Sequence, residues 1–278
     1  MNTASRILIS LSVAFGFSIP TSILASAQEV GQVSYKMGRK AVVSITNLYG
    51  PITVKPSDEK EVRVTYTSHA SSVTFDDQRH GNRVSLVSLS DHLGDNLAEY
   101  SVLVPRNAFL SLFAGGPIHV EGLTGDITIQ TVSHPIEIKN LDGAYIHVKA
   151  LDSPITLVAV HNSHAYIQSI NGSIDISDTS GSCVEANSTG GRITYEGDPG
   201  RDGDYHLSSH SGDVDVSIPA NAFVEIQTNG QSGQNPDESA TQTTRGDSLF
   251  LRPASVSRAH FDLRSFTGRV RLRRPQSH

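Results

Sequence analysis

Apolar and polar residues alternate in short triplets along residues 118–226, and each triplet follows a turn. A first series of triplets begins at Ile118, Ile136, Ile155, Ile174, Ile193 and Val214. A second series lies between them and begins at Ile127, Ile146, Ala165, Val184, Tyr205 and Val224. Two interleaved series with one period of about 19 residues predict two strands and two turns in each repeat.

The alternation also predicts which side chains face inward. The outer two residues of each triplet are apolar, and none of the central residues is aliphatic. Successive side chains of a strand point to opposite faces, so we expect the outer pairs to form the core. A further apolar residue follows five positions after several triplet starts. We expect these residues to cap the ends of a narrow core: Leu123, Leu141 and Val160 in the first series, and Val132, Leu151 and Ile170 in the second.

The fixed period favours a solenoid over an antiparallel meander packed as a β-sandwich. In a meander, consecutive strands are neighbours, so the first series would pair with the second. In a solenoid, each strand lies on its own copy one period later. The sequence therefore predicts an all-β chain that forms a parallel β-solenoid with two-strand repeats of about 19 residues, preceded by a β-rich N-terminal section.

The chain divides into five parts along its length. Residues 1–27 combine Arg6, an apolar run and Ala25-Ser26-Ala27, which is typical of a secretory signal peptide. Residues 28–112 hold longer strand-like runs, and we interpret them as an N-terminal β section of the same domain. Residues 113–227 carry the repeats. Residues 228–248 lack apolar periodicity and are interpreted as a mobile loop, and residues 249–278 restore the pattern as closing solenoid strands.

Charge and cysteine content narrow the function classes. The formal net charge of −6 argues against nucleic acid as a partner. The single cysteine, Cys183, excludes an internal disulfide framework. Beyond the signal segment, no run is apolar enough to cross a bilayer as a helix. We therefore expect an exported protein of the periplasm, the cell envelope or the extracellular space.

Several segments resemble the bacterial DUF4097 family, whose members are often labelled adhesins. The resemblance rests on NLYGPITV, on YSVLVPRNAFLSL followed by AGGPIHVEGLTG, on the repeated turn-and-strand units, and on YHLSSHSGDVDVSIPANAFVEI. It covers most of the chain after the signal segment. The resemblance implies a secreted or envelope protein with a right-handed β-helix-like fold, and it implies no catalytic residues.

One outward column of the second series is a candidate binding surface. It contains His147, Tyr166, Glu185 and His206 in successive repeats. His147 and His206 would lie three layers, about 14 Å, apart, which no single metal ion can bridge. Glu185 and His206 are adjacent and close enough to share an ion, but a solvated polar face is the simpler interpretation. We therefore expect no metal and no cofactor.

An acidic column of the first series is the alternative site. Glu137, Asp175 and Asp215 occupy alternate repeats, so neighbouring acids would lie about 9.6 Å apart. That distance is near the upper limit for the two carboxyl groups of an inverting glycosidase. A β-helix enzyme that hydrolyses or cleaves polysaccharide is therefore the rival hypothesis, although the same acids would also keep a sheet face soluble.

The sequence as a whole favours a non-enzymatic, adhesin-like binding or structural protein that presents flat solenoid faces. An envelope polysaccharide or a surface protein is the expected partner. A third hypothesis is a structural envelope component with no small ligand. A basic cluster of Arg264, Arg269, Arg271, Arg273 and Arg274 near the C-terminus is suited to anionic polymers or to blocking the pairing of an edge strand.

Overall fold

A computed structural model describes residues 29–38, 40–69, 73–90, 97–232 and 258–274. Residues 1–28 are not among them, so the predicted signal peptide lies outside the described residues. Every regular element within these ranges is a β-strand. The same ranges contain no helix long and apolar enough to cross a membrane.

Eight strands precede the regular repeats: β1 (Glu29–Lys36), β2 (Val42–Asn47), β3 (Ile52–Ser57), β4 (Glu61–Ser68), β5 (Val73–His80), β6 (Arg83–Ser90), β7 (Ala98–Pro105) and β8 (Phe109–Ala114). The repeats supply β9 (Ile118–Glu121), β10 (Ile127–Thr131), β11 (Ile136–Asp142), β12 (Tyr145–Ala150), β13 (Ile155–His161), β14 (His164–Ser169), β15 (Ile174–Ser180), β16 (Cys183–Ser188), β17 (Ile193–Glu196), β18 (Asp204–Ser209) and β19 (Val214–Ser217). Two longer strands complete the chain: β20 (Val224–Ser232) and β21 (Ala259–Arg273).

Strand pairing forms two parallel ladders, which confirms the predicted β-solenoid. The first sheet stacks β9, β11, β13, β15, β17 and β19, the strands of the first series. The second sheet stacks β10, β12, β14, β16 and β18. Each strand lies on the strand one repeat earlier with corresponding residues in register, as in Ile136 on Ile118. The long strand β21 turns the corner and pairs with the last repeat strand of each sheet, β18 in the second sheet and β19 in the first.

The core lies between the two sheets, as the alternation predicts. The outer residues of the triplets from Ile118 to Val216 are buried, and they form one continuous cluster along the solenoid. Tyr195, Tyr205 and Phe261 fill this core near its C-terminal end, where the rings of Tyr205 and Phe261 stack at 4.6 Å between centroids. The last members of the second series, Val224 and Ile226, are only partly buried.

The order of layers at the C-terminal end differs from the expectation. The 19-residue spacing placed Val224 directly on Tyr205, but Phe261 of β21 lies on Tyr205 instead. Strand β20 lies beyond β21, with Val224 paired to Ala259. A bulky aromatic core at this end is better covered by Phe261 than by Val224, because aromatic rings gain from stacking as well as from burial.

The N-terminal strands also interleave with later ones. Strand β2 lies between β6 and β8, and β3 lies between β7 and β9. Three antiparallel strands finish this end: β1 and β4 extend the first sheet past β7, and β5 extends the second sheet past β6. Of the segment interpreted as a mobile loop, residues 228–232 belong to β20, and residues 233–248 lie outside the described residues.

One set of predicted corner caps is wrong. Leu123, Leu141 and Val160 are buried where the first sheet leads into the second. Val132, Leu151 and Ile170, at the other corner, are 52%, 40% and 45% exposed.

A residue in the left-handed conformation causes the difference between the two corners. Gly122, Asn140 and Ala159 have φ of 70°, 56° and 54°, which turns the following apolar side chain inward. At the other corner the strand alternation simply continues, so a polar residue such as Ser169 points inward and Ile170 points outward.

Buried hydroxyl groups hold that second corner together. The Ser188 Oγ accepts a hydrogen bond from the Gly191 N–H at 2.9 Å. In the next layer Ser209 Oγ accepts from the Gly212 N–H and donates to the Gly191 carbonyl, both near 3.0 Å. The Ser265 hydroxyl repeats the contact with the Gly212 carbonyl. The Ser-x-x-Gly spacing of the turns is thus explained by hydrogen bonds that link one layer to the next.

Candidate functional site

The predicted binding column lies on the outer surface of the second sheet. His147, Tyr166, Glu185 and His206 occupy corresponding positions of β12, β14, β16 and β18, and each is the register partner of the next. The structure therefore brings all four onto one face. Their local surroundings differ, however, and they divide this face into an aromatic part and a charged part.

The aromatic part contains two residues that sequence reasoning missed. The rings of His147 and Tyr166 meet edge to face with centroids 5.1 Å apart. Beside them, Tyr145 and His164 stack at 4.9 Å with their planes only 6° apart. We call these four side chains the aromatic platform. Tyr145 is 60% exposed, which makes it the most accessible tyrosine among the large exposed apolar side chains of the described residues.

A signal for Tyr145 and His164 was present in the sequence. Both stand one position before the first apolar residue of a second-series triplet, 19 residues apart, so they share a face with the central residues. A prediction based only on the central residue of each triplet does not include them. Side chains two positions apart on a strand lie on the same face, so a flat site on a solenoid is two or three columns wide.

A column of three amide side chains and one lysine, which we call the amide column, borders the platform on the side of the exposed corner. Gln130, Lys149, Gln168 and Asn187 are successive register partners there. The Gln168 amide donates to the Tyr166 hydroxyl, and Asn187 Nδ2 donates to Glu185 Oε1 at 2.8 Å. These contacts orient the amides along the face while leaving further donors and acceptors for solvent or a ligand.

The charged part of the face lies toward the C-terminal end. His206 Nε2 is 3.2 Å from Asp204 Oδ1, and its Nδ1 is 3.6 Å from Asp262 Oδ2. Asp262 is buried and also accepts two hydrogen bonds from the Arg264 guanidinium, at 2.9 and 2.5 Å. Among the described residues, no group of three histidine, cysteine or acidic side chains is placed to hold a metal ion. His206 is thus one member of a charge cluster between strands.

The acidic column lies on the outer surface of the first sheet, and two of its three members are paired with cations. Glu137 accepts a hydrogen bond from Lys139 and lies 2.6 Å from His119 Nδ1. Asp215 lies 3.0 Å from Arg271 Nη1 and 3.6 Å from Arg192 Nε. Asp175 receives a hydrogen bond from the Ser173 hydroxyl at 3.2 Å. Cations on the same strand or on a neighbouring strand therefore neutralise two of the three acids of this column.

Hydrogen bonds lower the pKa of three carboxyl groups on this face, Glu121, Glu137 and Asp213. The hydrogen bond from Lys139 lowers the pKa of Glu137, and the hydrogen bond from His119 lowers the pKa of Glu121. The Arg269 backbone N–H, which donates to Asp213 at 2.9 Å, lowers the pKa of that neighbouring carboxyl. A glycosidase needs one carboxylic acid with a raised pKa to protonate the leaving group. The shifts seen on these three groups are opposite to that requirement.

The C-terminal arginines do not form one patch. Arg264 lies on the outer surface of the second sheet and pairs with Asp262, whereas Arg271 lies on the first sheet and pairs with Asp213 and Asp215. The strand β21 serves both sheets, so its arginines are distributed to opposite faces.

Cys183 begins β16 in the column that also contains Tyr145 and His164, and its side chain is half-buried. Burial raises the pKa of the Cys183 thiol. Since the thiolate is the reactive form, the raised pKa makes this thiol a poor nucleophile.

Comparison with known proteins gives the family. The Toastrack DUF4097 family model matches residues 43–273. Among solved structures, a "putative adhesin" from Bacteroides fragilis is similar with a TM-score of 0.48 and 10% identity, covering 89% of this chain and 98% of that chain. A "putative cell adhesion protein" from Clostridium sporogenes has a TM-score of 0.26 and 10% identity, covering 90% of this chain and 99% of that one. No curated protein matches the sequence. Since the family model spans the strands of both sheets, the chain belongs to the Toastrack DUF4097 family.

Proposed function

We propose that this protein is a non-enzymatic, exported or envelope-associated binding protein that holds a polysaccharide on the outer surface of its second sheet. The main support for the proposal is the aromatic platform. Tyr145 and His164 present stacked rings to solvent, and His147 and Tyr166 adjoin them on a flat sheet face.

The chemistry of the platform suits sugar rings. The C–H faces of a pyranose are apolar and pack against the faces of aromatic rings, while its hydroxyl groups need hydrogen-bond partners at the ring edge. The amides of Gln130, Gln168 and Asn187 supply such partners along one side of the platform. Layers about 4.8 Å apart also give the face a regular repeat, which a polymer with repeating units can match.

The charges around the platform favour an uncharged polymer. Glu185 is the register partner of Tyr166, and Asp204 follows Cys183 in the neighbouring column. Lys149 is the cation of the bordering amide column. An anionic polymer laid along the platform would approach Glu185 and Asp204, and like charges at such distances are repulsive.

The test is co-sedimentation of the purified protein with insoluble envelope polysaccharides, with release of new sugar ends measured in the same samples. The protein should be retained by a neutral polysaccharide without producing new ends. A Tyr145→Ser and Tyr166→Ser double variant should lose retention by about fivefold or more, because each ring contributes roughly 0.5–1.5 kcal/mol of contact. Both side chains face outward, so the variant should keep its unfolding midpoint.

The matched control is Asp175→Asn, on the outer surface of the opposite sheet. Retention should be unchanged in this variant. New sugar ends in the parent that disappear in Asp175→Asn would contradict a non-enzymatic function and favour the carbohydrate-active alternative. Retention by a surface protein in place of any polysaccharide would contradict the proposed ligand class. No retention by any partner would favour a structural envelope component.

A further inference from the structure

An exposed apolar ridge runs along the corner where the second sheet leads into the first. Six of the nine layers place a large apolar residue at this corner position, and these residues are 40–73% exposed: Leu89, Leu48, Val132, Leu151, Ile170 and Phe266. The other three layers place Gly115, Thr189 and His210 there. Backbone hydrogen bonds connect the layers along this line, from the Asp152 N–H to the Val132 carbonyl and from the Ile170 N–H to the Leu151 carbonyl. His210 lies in the layer next to Phe266, and the two rings stack at 5.0 Å.

The fold keeps this ridge in solvent. The inner side of the corner is filled by buried polar residues such as Thr131 and Ser188, whose hydroxyls donate hydrogen bonds to the carbonyls of Ala114 and Ile170. The next residue in each turn therefore has no room to turn inward. Val132, Leu151 and Ile170 are thus exposed in three successive layers, and Leu89, Leu48 and Phe266 lie further along the same line. Contiguous exposed apolar side chains of this kind mark interaction sites on soluble proteins.

Charges of opposite sign flank the ridge at its centre. Lys149 lies on the side of the second sheet, two residues before Leu151, and Asp152 lies on the side of the first sheet, one residue after it. Asp152 Oδ1 accepts a hydrogen bond from Asn171 Nδ2 at 2.6 Å, which leaves its second oxygen available. The other flanking residues near the centre are uncharged: Gln130, Gln168, Ser133 and Asn171.

We propose that this ridge is the contact surface for a second copy of the same chain, with the two solenoids parallel and related by a two-fold axis along their length. In this arrangement Leu151 meets Leu151 and Ile170 meets Ile170. The second-sheet flank of one copy faces the first-sheet flank of the other, so Lys149 of each copy faces Asp152 of its partner. In the antiparallel arrangement, Lys149 would face Lys149, which is repulsive.

The ridge is long enough for a stable contact. Nine layers from Leu89 to Phe266, about 4.8 Å apart, give it a length of about 38 Å. A contact strip about 20 Å wide, which includes the flanking columns, then buries roughly 800 Å² on each copy, the usual size of a specific interface. The aromatic platforms of the two copies would face opposite directions, and the contact strip shares the amide column with the binding face.

The test is sedimentation equilibrium of the purified protein in the presence of a reductant, which prevents linkage through Cys183. The parent should be a dimer at micromolar concentration. The Leu151→Ser and Ile170→Ser double variant should be a monomer with an unchanged unfolding midpoint, since both side chains are already exposed in one chain. A monomeric parent, or an unaltered dimer in the double variant, would overturn the proposal.

A charge-reversal cycle tests the parallel arrangement. Lys149→Asp and Asp152→Lys should each raise the dimer dissociation constant about tenfold, because each reversal replaces two attractive pairs by two repulsive pairs. The combined variant should restore dimerisation, because the pairs become attractive again. An Asn171→Ala variant controls for the hydrogen bond that Asp152→Lys removes, and it should remain dimeric. If the combined variant is no better than the single ones, the parallel arrangement is wrong.

Discussion

At the scale of the residue, the tightest constraint is the approach of one layer to the next at the turns. A Cβ atom added to Gly191 would lie 2.0 Å from the Gly172 carbonyl oxygen, and one added to Gly212 would lie 2.1 Å from the Gly191 carbonyl oxygen. Real Cβ atoms do not come that close to backbone. The glycine that opens these first-sheet strands is therefore required by packing between layers.

A comparison of adjacent glycines tests this constraint. Gly191→Ala should lower the free energy of unfolding by about 1–3 kcal/mol or more, since the layers must separate to admit the methyl group. Gly190→Ala is the matched control in the same turn. Its Cβ would lie 3.0 Å from the Asn171 side-chain oxygen, which can move, so the expected loss is within about 0.5 kcal/mol. Urea unfolding measures both, and equal losses would contradict the packing argument.

At the scale of the element, Asp213 connects the long strand β21 to the first sheet through a hydrogen bond and an ion pair. The Asp213 carboxylate accepts the Arg269 backbone N–H at 2.9 Å and lies 2.9 Å from Arg271 Nη1. Both contacts favour the charged form and lower the Asp213 pKa below its ordinary value of 3.8. A carboxyl whose pKa is lower in the folded state stabilises the fold above its unfolded pKa, and this stabilisation is lost as pH falls through the folded pKa.

The sign of this effect gives a pH-dependent prediction. Asp213→Asn should unfold at a lower urea concentration than the parent at pH 7, because the variant lacks the charge. The difference should shrink as the pH falls below 3.8, where the parent carboxyl becomes protonated too. Arg269→Ala is the control, since it keeps the backbone N–H that is the main cause of the shift. A difference that stays constant from pH 7 to pH 2 would contradict this assignment.

The pairing of the strands is predictable from the sequence, whereas the burial of the corner residues is not. The alternation around Ile136, Ile155 and Ile174 fixes both the inward face and the partner strand, since one shift of register would expose every core residue. Leu141 and Leu151 have the same offset and the same residue type, yet one is buried and the other is exposed. The conformation of the preceding residue decides: Asn140 is left-handed, whereas Ala150 continues the strand. Residue type alone does not reveal this, because Ala159 is also left-handed.

The binding face was only partly predictable for a related reason. Alternation identifies His147 and Tyr166 as outward neighbours, but the ring geometry that makes a platform depends on Tyr145 and His164 at the strand starts. The pairing of Asp215 with Arg271 was also hidden, because 56 residues separate them in the chain. The repeat predicts contacts between residues one period apart, but it does not predict contacts between residues that an insertion separates.

At the scale of the whole molecule, the C-terminal end is held by an aromatic cluster in which Phe261 contacts Tyr195 and Tyr205. Layers of a solenoid stabilise only their neighbours, so damage at an end should stay local. Phe261→Ala should remove about 3–5 kcal/mol of packing from this end. Backbone amides of β20 and β21 should then exchange with solvent much faster, while those of β12 and β14 keep their protection.

Hydrogen exchange followed by mass spectrometry resolves these segments. Phe266→Ala is the matched control on the same strand, because Phe266 is 73% exposed and contributes little to the core. In the monomeric Leu151→Ser and Ile170→Ser background, where no second copy covers Phe266, it should leave the exchange pattern at both ends unchanged. Equal loss of protection in all strands of the Phe261→Ala variant would mean that the solenoid unfolds as one unit and that the layers are not independent.

The position of β2 and β3 inside the stack determines when the nascent chain can begin to fold. Both strands pair only with strands that are synthesised later: Val42 with Arg83, 41 residues on, and Ile52 with Tyr100, 48 residues on. Partners in the repeats are separated by about 19 residues, so their loops close at a lower entropic cost. The N-terminus of the chain is synthesised first, but we expect the repeats in the middle to fold first. Strands β2 and β3 can pair only after their neighbours on both sides have been synthesised.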